Sequence, residues 1–212
     1  MAIFESTAFL SLKKSFGNVT TYRSRGINVL RMKTKEIRDP RTSGQRIRRV
    51  MLAESARLSC GFQAAHRLGF PKRPLGETTF NTFVRLNMAA VKVDDGLTVA
   101  TNFSALVCSQ GSRKVPAVKV TLVKADRQIL MSAEPGGFGP DADVSDVVFA
   151  VLYESELNTC EVYELGKRSE LGTQEAVLPE NWDAGLVHAY AFVRSASKRI
   201  SSETRYITVE LQ

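Results

Sequence analysis

The sequence predicts an α+β fold, in which a basic β-hairpin and a helical hairpin precede an antiparallel, immunoglobulin-like β-sandwich. Three observations predict it. Positive charge is concentrated in the first third of the chain, two helix-periodic segments follow a hairpin signal, and short β-prone runs with regular turn signals fill the remainder.

The hairpin comes first. Val19 to Tyr22 and Ile27 to Met32 are β-prone runs joined through Ser24-Arg25-Gly26, where Gly26 supplies the positive φ that a tight turn needs. Asp39-Pro40 ends this segment, because a residue before proline is pushed away from helical angles, and Thr42 or Ser43 can cap the next helix. From Gln45 to about Leu68, an apolar stripe of Ile47, Val50, Met51, Leu58, Phe62 and Ala65 recurs at helical spacing, with Gly61 as a weak point. Pro71, Pro74 and Gly76 then mark a connector. A second helix runs from Thr78 or Thr79 to about Val91 and pairs with the first as a hairpin.

After Asp94-Asp95-Gly96 the pattern turns to strands. The expected strands are Leu97 to Phe103, Ala105 to Ser109, Val115 to Lys124, Ile129 to Ala133, Val147 to Glu154, Cys160 to Leu165, Glu175 to Leu178, His188 to Ser195 and Thr204 to Leu211. A loop rich in glycine and proline, Pro135 to Asp141, divides them. The expected domains are 1–96 and 97–212, since 212 residues suit one large domain or two small ones.

Composition excludes several classes. With 43% hydrophobic and 24% charged residues the chain matches ordinary globular usage. No apolar run approaches the length of a membrane-spanning helix. Met1 to Leu12 meets Lys13 and Lys14 only after its apolar residues, the reverse of a cleaved signal, so a cytoplasmic or virion location is expected. Cys60, Cys108 and Cys160 are widely spaced and read as reduced, mostly buried thiols.

Catalytic chemistry finds no foothold in the pattern. Of the two histidines, more than 120 positions apart, His66 has no His or carboxylate at helical ligand spacing and His188 starts an expected strand. Phosphate-loop, dinucleotide and nucleophile-elbow motifs are absent. Asp141, Asp143 and Asp146 lack the remainder of a calcium loop, and Glu154 with Glu156 reads as a solvated strand pair. The reading is therefore a non-enzyme with no cofactor and no metal.

Charge is the clearest signal. Residues 1–75 hold 16 Lys or Arg against 4 Asp or Glu, a net +12, whereas residues 76–212 hold 13 against 18, a net −5. Such a split suits a surface that meets phosphates or an acidic protein face, and it also permits head-to-tail association of copies. The candidate residues are Arg23, Arg25, Arg31, Lys33 and Lys35 around the hairpin, and Arg41, Arg46, Arg48 and Arg49 at the helix entry. Together they form one expected cluster, with Tyr22 available for stacking. No base-reading motif accompanies them.

Gly17-Asn18-Val19 with Arg23 and Gly26, Pro40-x-Thr42-x-x-Gln45-x-x-Arg48 (or Arg49), Phe80-Asn81, Phe103-Ser104 with Leu106, Ser109-x-Gly111, Val187-His188-x-Tyr190 and Ser201-x-x-x-Arg205-Tyr206 form a further pattern. In these elements the chain resembles a family of unknown function found mainly in Bacteroidota and their mobile elements. The resemblance runs almost the whole length. Phe103 stands where the family pattern has a tyrosine, and a tryptophan expected near Leu130 is missing. The resemblance implies a shared fold and brings no catalytic residue.

Two functions stand as expectations. The first is a non-catalytic structural or assembly protein, such as a phage or phage-like particle component, a homo-oligomer that docks an acidic partner or packaged nucleic acid. The second is a free, sequence-nonspecific nucleic-acid-binding accessory protein. A carbohydrate- or peptide-binding reading requires Trp182 to be exposed.

Overall fold

The structure, a computed structural model, describes residues 2–3, 14–34, 39–123 and 125–211. By its contacts the chain divides into two compact units, residues 1–42 with 74–77, and residues 43–73 with 78–212.

In the first unit four strands pair in the order β1 (Ala2–Ile3), β4 (Ile27–Met32), β3 (Val19–Ser24), β2 (Lys14–Phe16). The hairpin between β3 and β4 forms as its sequence predicts. Its two turn residues, Arg25 and Gly26, have φ of 50° and 84°, the left-handed geometry that matches the twist of the flanking strands. The Arg25 guanidinium donates to the Gly76 carbonyl, which ties the turn to the 74–77 segment.

The second unit is built around a sheet with both faces buried. Its order is β10 (Thr159–Lys167), β9 (Val147–Glu154), β12 (Val187–Arg194), β13 (Arg205–Ile207). Side chains alternate across a strand, so Val148, Ala150 and Leu152 of β9 enter one core, and Phe149, Val151 and Tyr153 enter another. β12 divides in the same way, with Ala189, Ala191 and Val193 on one side and Tyr190 and Phe192 on the other.

The first of these cores is closed by a second sheet, ordered β11 (Thr173–Val177), β8 (Gln128–Ala133), β7 (Val118–Val123), β14 (Val209–Leu211). Val120 and Leu122 of β7 and Ile129 and Met131 of β8 supply its buried face. The second core is closed by α1 (Ser43–Gly61), α2 (Gln63–Gly69) and α3 (Thr79–Asn87). At its centre Phe62 is wholly buried and stacks on Tyr153 at 4.3 Å and on Phe83 at 5.5 Å, with the Tyr190 ring edge-on.

Several sequence expectations are corrected here. Within the second unit the helices bury Leu58, Phe62, Ala65 and Phe83 against β9 and β12. The long first helix is two helices that break at Phe62. Gly61 is needed there for space. A Cβ on it would lie 2.5 Å from the Asn158 amide oxygen, and Asn158 is fixed by the Arg57 carbonyl and the Tyr153 hydroxyl.

The second helix starts as expected, with the Thr78 hydroxyl accepting from the Asn81 N–H. It ends earlier, however, and Val91–Val93 forms strand β5, paired with β6 (Val99–Thr101). Ala105 to Ser109 is not a strand, because side chains satisfy its backbone instead of a neighbouring ladder. Asn87 accepts from the Val107 N–H and donates to the Val107 carbonyl, while the Thr204 hydroxyl accepts from the N–H groups of Cys108 and Ser109.

Thr204 to Leu211 is two strands. The chain leaves the first sheet after Ile207 and joins the second at Val209, so β14 runs parallel to β7, an exception to an antiparallel arrangement. The expected strand to Lys124 ends at Val123, and Lys124 itself lies outside the described residues.

A buried polar knot joins the end of α2 to two distant segments. The Gly69 carbonyl accepts from the hydroxyls of Ser109 and Ser201, at 3.1 and 2.6 Å, and the Ser109 hydroxyl also lies 2.6 Å from the Ser202 carbonyl. The segments approach so closely that a Cβ on Gly111 would fall 1.9 Å from the Ser201 carbonyl oxygen.

Packing of this kind sets the expected cost of substitution. Phe62→Ala should cost about 3–5 kcal/mol in urea unfolding, as the loss of a buried aromatic does, and a cost under about 1 kcal/mol would contradict its central place. Gly111→Ala should cost roughly 1–3 kcal/mol by overpacking against fixed backbone, whereas Gly44→Ala, where no atom lies within 4 Å, should be neutral or stabilising.

Candidate polyanion interface

Eight of the nine cationic residues expected to form the site lie among the described residues, and all eight are exposed. Lys35 falls outside them. Arg23, Arg25, Arg31, Lys33 and Arg41 belong to the first unit, and Arg46, Arg48 and Arg49 to the second.

The hairpin does not gather its arginines on one face. In the β3–β4 register Arg23 is opposite Asn28 and Arg31 is opposite Thr20. Counting by twos, Arg23 shares its face with Thr21 and Leu30, while Arg31 shares the other with Tyr22 and Val29. Tyr22 is half-buried, which limits it as a stacking platform.

The cations also differ in freedom. Arg25 is spent on Gly76, and Arg41 lies 3.8 Å from Asp39 in an exposed pair. Arg23, Arg31, Lys33, Arg46 and Arg48 form no ion pair among the described residues. On α1, Arg46 and Arg49 are three residues apart and share one face, opposite the buried stripe through Ser55 and Leu58.

The groups weighed for chemistry are placed in structural roles. His66 is buried, its Nε2–H donating to the Ser59 carbonyl at 3.0 Å, and His188 stacks on Phe103 at 4.2 Å with Nδ1 3.2 Å from the Tyr206 hydroxyl. Asp146 is buried, accepts from the Asp143 N–H and lies 3.6 Å from Arg113, while Asp143 accepts from Ser145. Glu154, expected on a solvated face, is instead buried and accepts from the Leu157 N–H at 2.5 Å.

Trp182 is also buried, in the core between the two sheets, so the ligand-platform reading fails for want of an exposed aromatic face. Of the cysteines Cys108 is buried, and burial pushes its thiol up to about 12; Cys160 is half-buried, and Cys60 is exposed, contrary to expectation. No three His, Cys, Asp or Glu side chains converge in a metal-binding group among the described residues.

A second cationic surface is invisible in the sequence pattern. Two clefts of the second unit share Gly111 and Ser112 in their walls, one of about 240 Å³ bearing Lys72 and Arg199, the other of about 510 Å³ bearing Arg113, Lys114 and Arg205. These residues are dispersed over more than a hundred positions in a stretch of mostly acidic sequence, and only folding collects them.

Fold and surface together define the class: an α+β protein with exposed cationic surfaces on both of its units. The chain belongs to DUF6266, a family of unknown function, whose model matches residues 11–207. No curated protein and no solved structure matches it. No helix is long and apolar enough to cross a membrane among the described residues.

The two histidines make a pH test. Desolvation lowers the affinity of both imidazoles for a proton below that of a free histidine, in His66 against the opposing effect of the Ser59 hydrogen bond. The unfolded chain thus binds protons more readily, so this stability is complete above about pH 6.5 and is lost as pH falls below it. Urea midpoints should drop between about pH 7.5 and 5.5, and the drop should shrink in His66→Gln with His188→Gln. Equal midpoints at the two pH values would contradict the assignment.

Proposed function

We propose that this is a non-catalytic structural or assembly protein that docks a polyanionic or acidic partner through its basic N-terminal region. The observation that carries the reading is the set of exposed cations without an ion pair among the described residues, Arg23, Arg31, Lys33, Arg46 and Arg48, near the front of a chain whose remainder is net acidic. Such cations add little to the stability of the fold, but they raise the local concentration of anions. A phage-like particle component is one form that such an assembly would take.

The fold supports a scaffold role. We infer an immunoglobulin-like sandwich within the second unit, because the connections put β7, β8 and β11 in one sheet and β10, β9, β12 and β13 in the other, each sheet crossing to its partner in the order that class uses. The short parallel β14 then corresponds to a last strand that switches sheets.

The alternative is the free nucleic-acid-binding accessory protein, favoured by the same arginines. Sedimentation at low and high salt, with and without a short mixed-sequence duplex, separates the two. A defined assembly without DNA supports the structural role, and a monomer whose DNA binding weakens steeply with salt supports the accessory role.

Reversing Arg23, Arg31 and Lys33 to Glu should abolish assembly or weaken DNA binding by roughly tenfold or more, and should lower the salt slope by about one for each phosphate that is no longer neutralised. Circular dichroism should be unchanged, since all three are exposed. Unchanged assembly together with unchanged DNA binding would remove the N-terminal region from the function.

A further inference from the structure

The paired clefts of the second unit carry an inference independent of the N-terminal reading. Their walls are rigid. Arg113 donates its N–H to the Ser201 carbonyl at 3.0 Å, Gln110 donates to Gly69, and the Ser201 hydroxyl lies 2.9 Å from the Gln110 carbonyl. The absence of a Cβ at Gly111 lets these segments touch, so the two clefts stand side by side on backbone that cannot easily shift.

Their lining is strongly cationic. Lys72, Arg113, Lys114, Arg199 and Arg205 line the clefts with one carboxylate, Glu203, and with Asp146 paired to Arg113 the balance is +3. Arg113 is anchored by buried Asp146 and Arg205 reaches the Pro116 carbonyl at 3.5 Å, whereas Lys72, Lys114 and Arg199 are exposed and form no ion pair among the described residues.

That charge decides between ligand classes. A monocarboxylate would leave most of it uncompensated, but phosphate groups carry up to about two charges each and accept from both ammonium and guanidinium donors. No aromatic side chain lines either cleft, so nothing there stacks a base, and recognition is of charge and spacing.

We propose that this double cleft binds an oligophosphate, with one phosphate group at Lys72 and Arg199 and the next at Lys114 and Arg205. The phosphates belong either to a nucleic-acid backbone or to a free phosphorylated compound.

The test is thermal stability of the full chain with pyrophosphate, and with a short mixed-sequence DNA, against sodium chloride at matched ionic strength. It is run on the wild type, on Lys72→Gln with Arg199→Gln, and on the N-terminal triple reversal. Pyrophosphate should raise the melting temperature of the wild type and of the N-terminal variant alike. Lys72→Gln with Arg199→Gln should melt normally without ligand, because both side chains are exposed, yet bind roughly 10- to 100-fold more weakly, as the loss of charge-assisted hydrogen bonds does.

Stabilisation by DNA and by pyrophosphate, both lost in the cleft variant, assigns the site to a phosphate backbone. Stabilisation by pyrophosphate alone, lost in that variant, assigns it to a free phosphorylated compound. No stabilisation by either anion, or stabilisation that the cleft variant keeps, overturns the proposal. Loss only in the N-terminal variant overturns it too, while leaving the N-terminal reading intact.

Discussion

Burial of both faces of one sheet is the constraint on which the second unit depends. β9 and β12 run side by side with their alternate residues committed to different cores, so neither the helices nor the second sheet can be removed without exposing half of each strand. The cost of such exposure scales with apolar area, at about 25 cal/mol per Å². Phe62 shows how the layers are coupled, since one side chain from the break between two helices meets rings from α3, β9 and β12.

The polar knot answers a different problem. The α2 C-terminus leaves carbonyls without helical partners, and burying them unsatisfied would be expensive. Serine hydroxyls from two distant segments donate to Gly69, while the Thr204 hydroxyl accepts from the N–H groups of Cys108 and Ser109 in the first of those segments, which has no strand beside it. Ser109, Gly111 and Ser201, three residues of the family resemblance, therefore describe a way of closing backbone. The same closure holds the two cationic clefts open, which makes the surface a by-product of the fold.

Much of this is legible in the sequence, and the physical reasons for success and failure differ by element. Val147 to Tyr153 is an uninterrupted apolar run, and the expected strand, Val147 to Glu154, agrees at both limits with the strand observed, because a strand buried on both sides has no polar alternation to blur it. The same lack of alternation conceals how many layers it touches. Ala105 to Ser109 has the composition of a strand and is paired by the Asn87 and Thr204 side chains, a long-range solution that no local pattern encodes. The basic front third is visible as a charge count, but the cleft is not. Its cations sit within residues 72–205, a region whose average is close to neutral or acidic, and averages cancel charges that the fold later separates.

The geometry of the hairpin bears on how its charge can be used. Because Arg23 and Arg31 stand on opposite faces, a flat partner laid against either side of the sheet meets one arginine and not both. Arg25, the turn arginine nearest to both, is bonded to Gly76 and positions the turn. A partner that engages both arginines must therefore reach around the hairpin's tip, because β1 and β2 flank its two strands. The cleft presents the opposite case, since fixed walls and converging cations favour a ligand narrow enough to enter them. The chain thus offers two cationic surfaces of different geometry, one divided between the faces of a hairpin and one gathered in the walls of paired clefts.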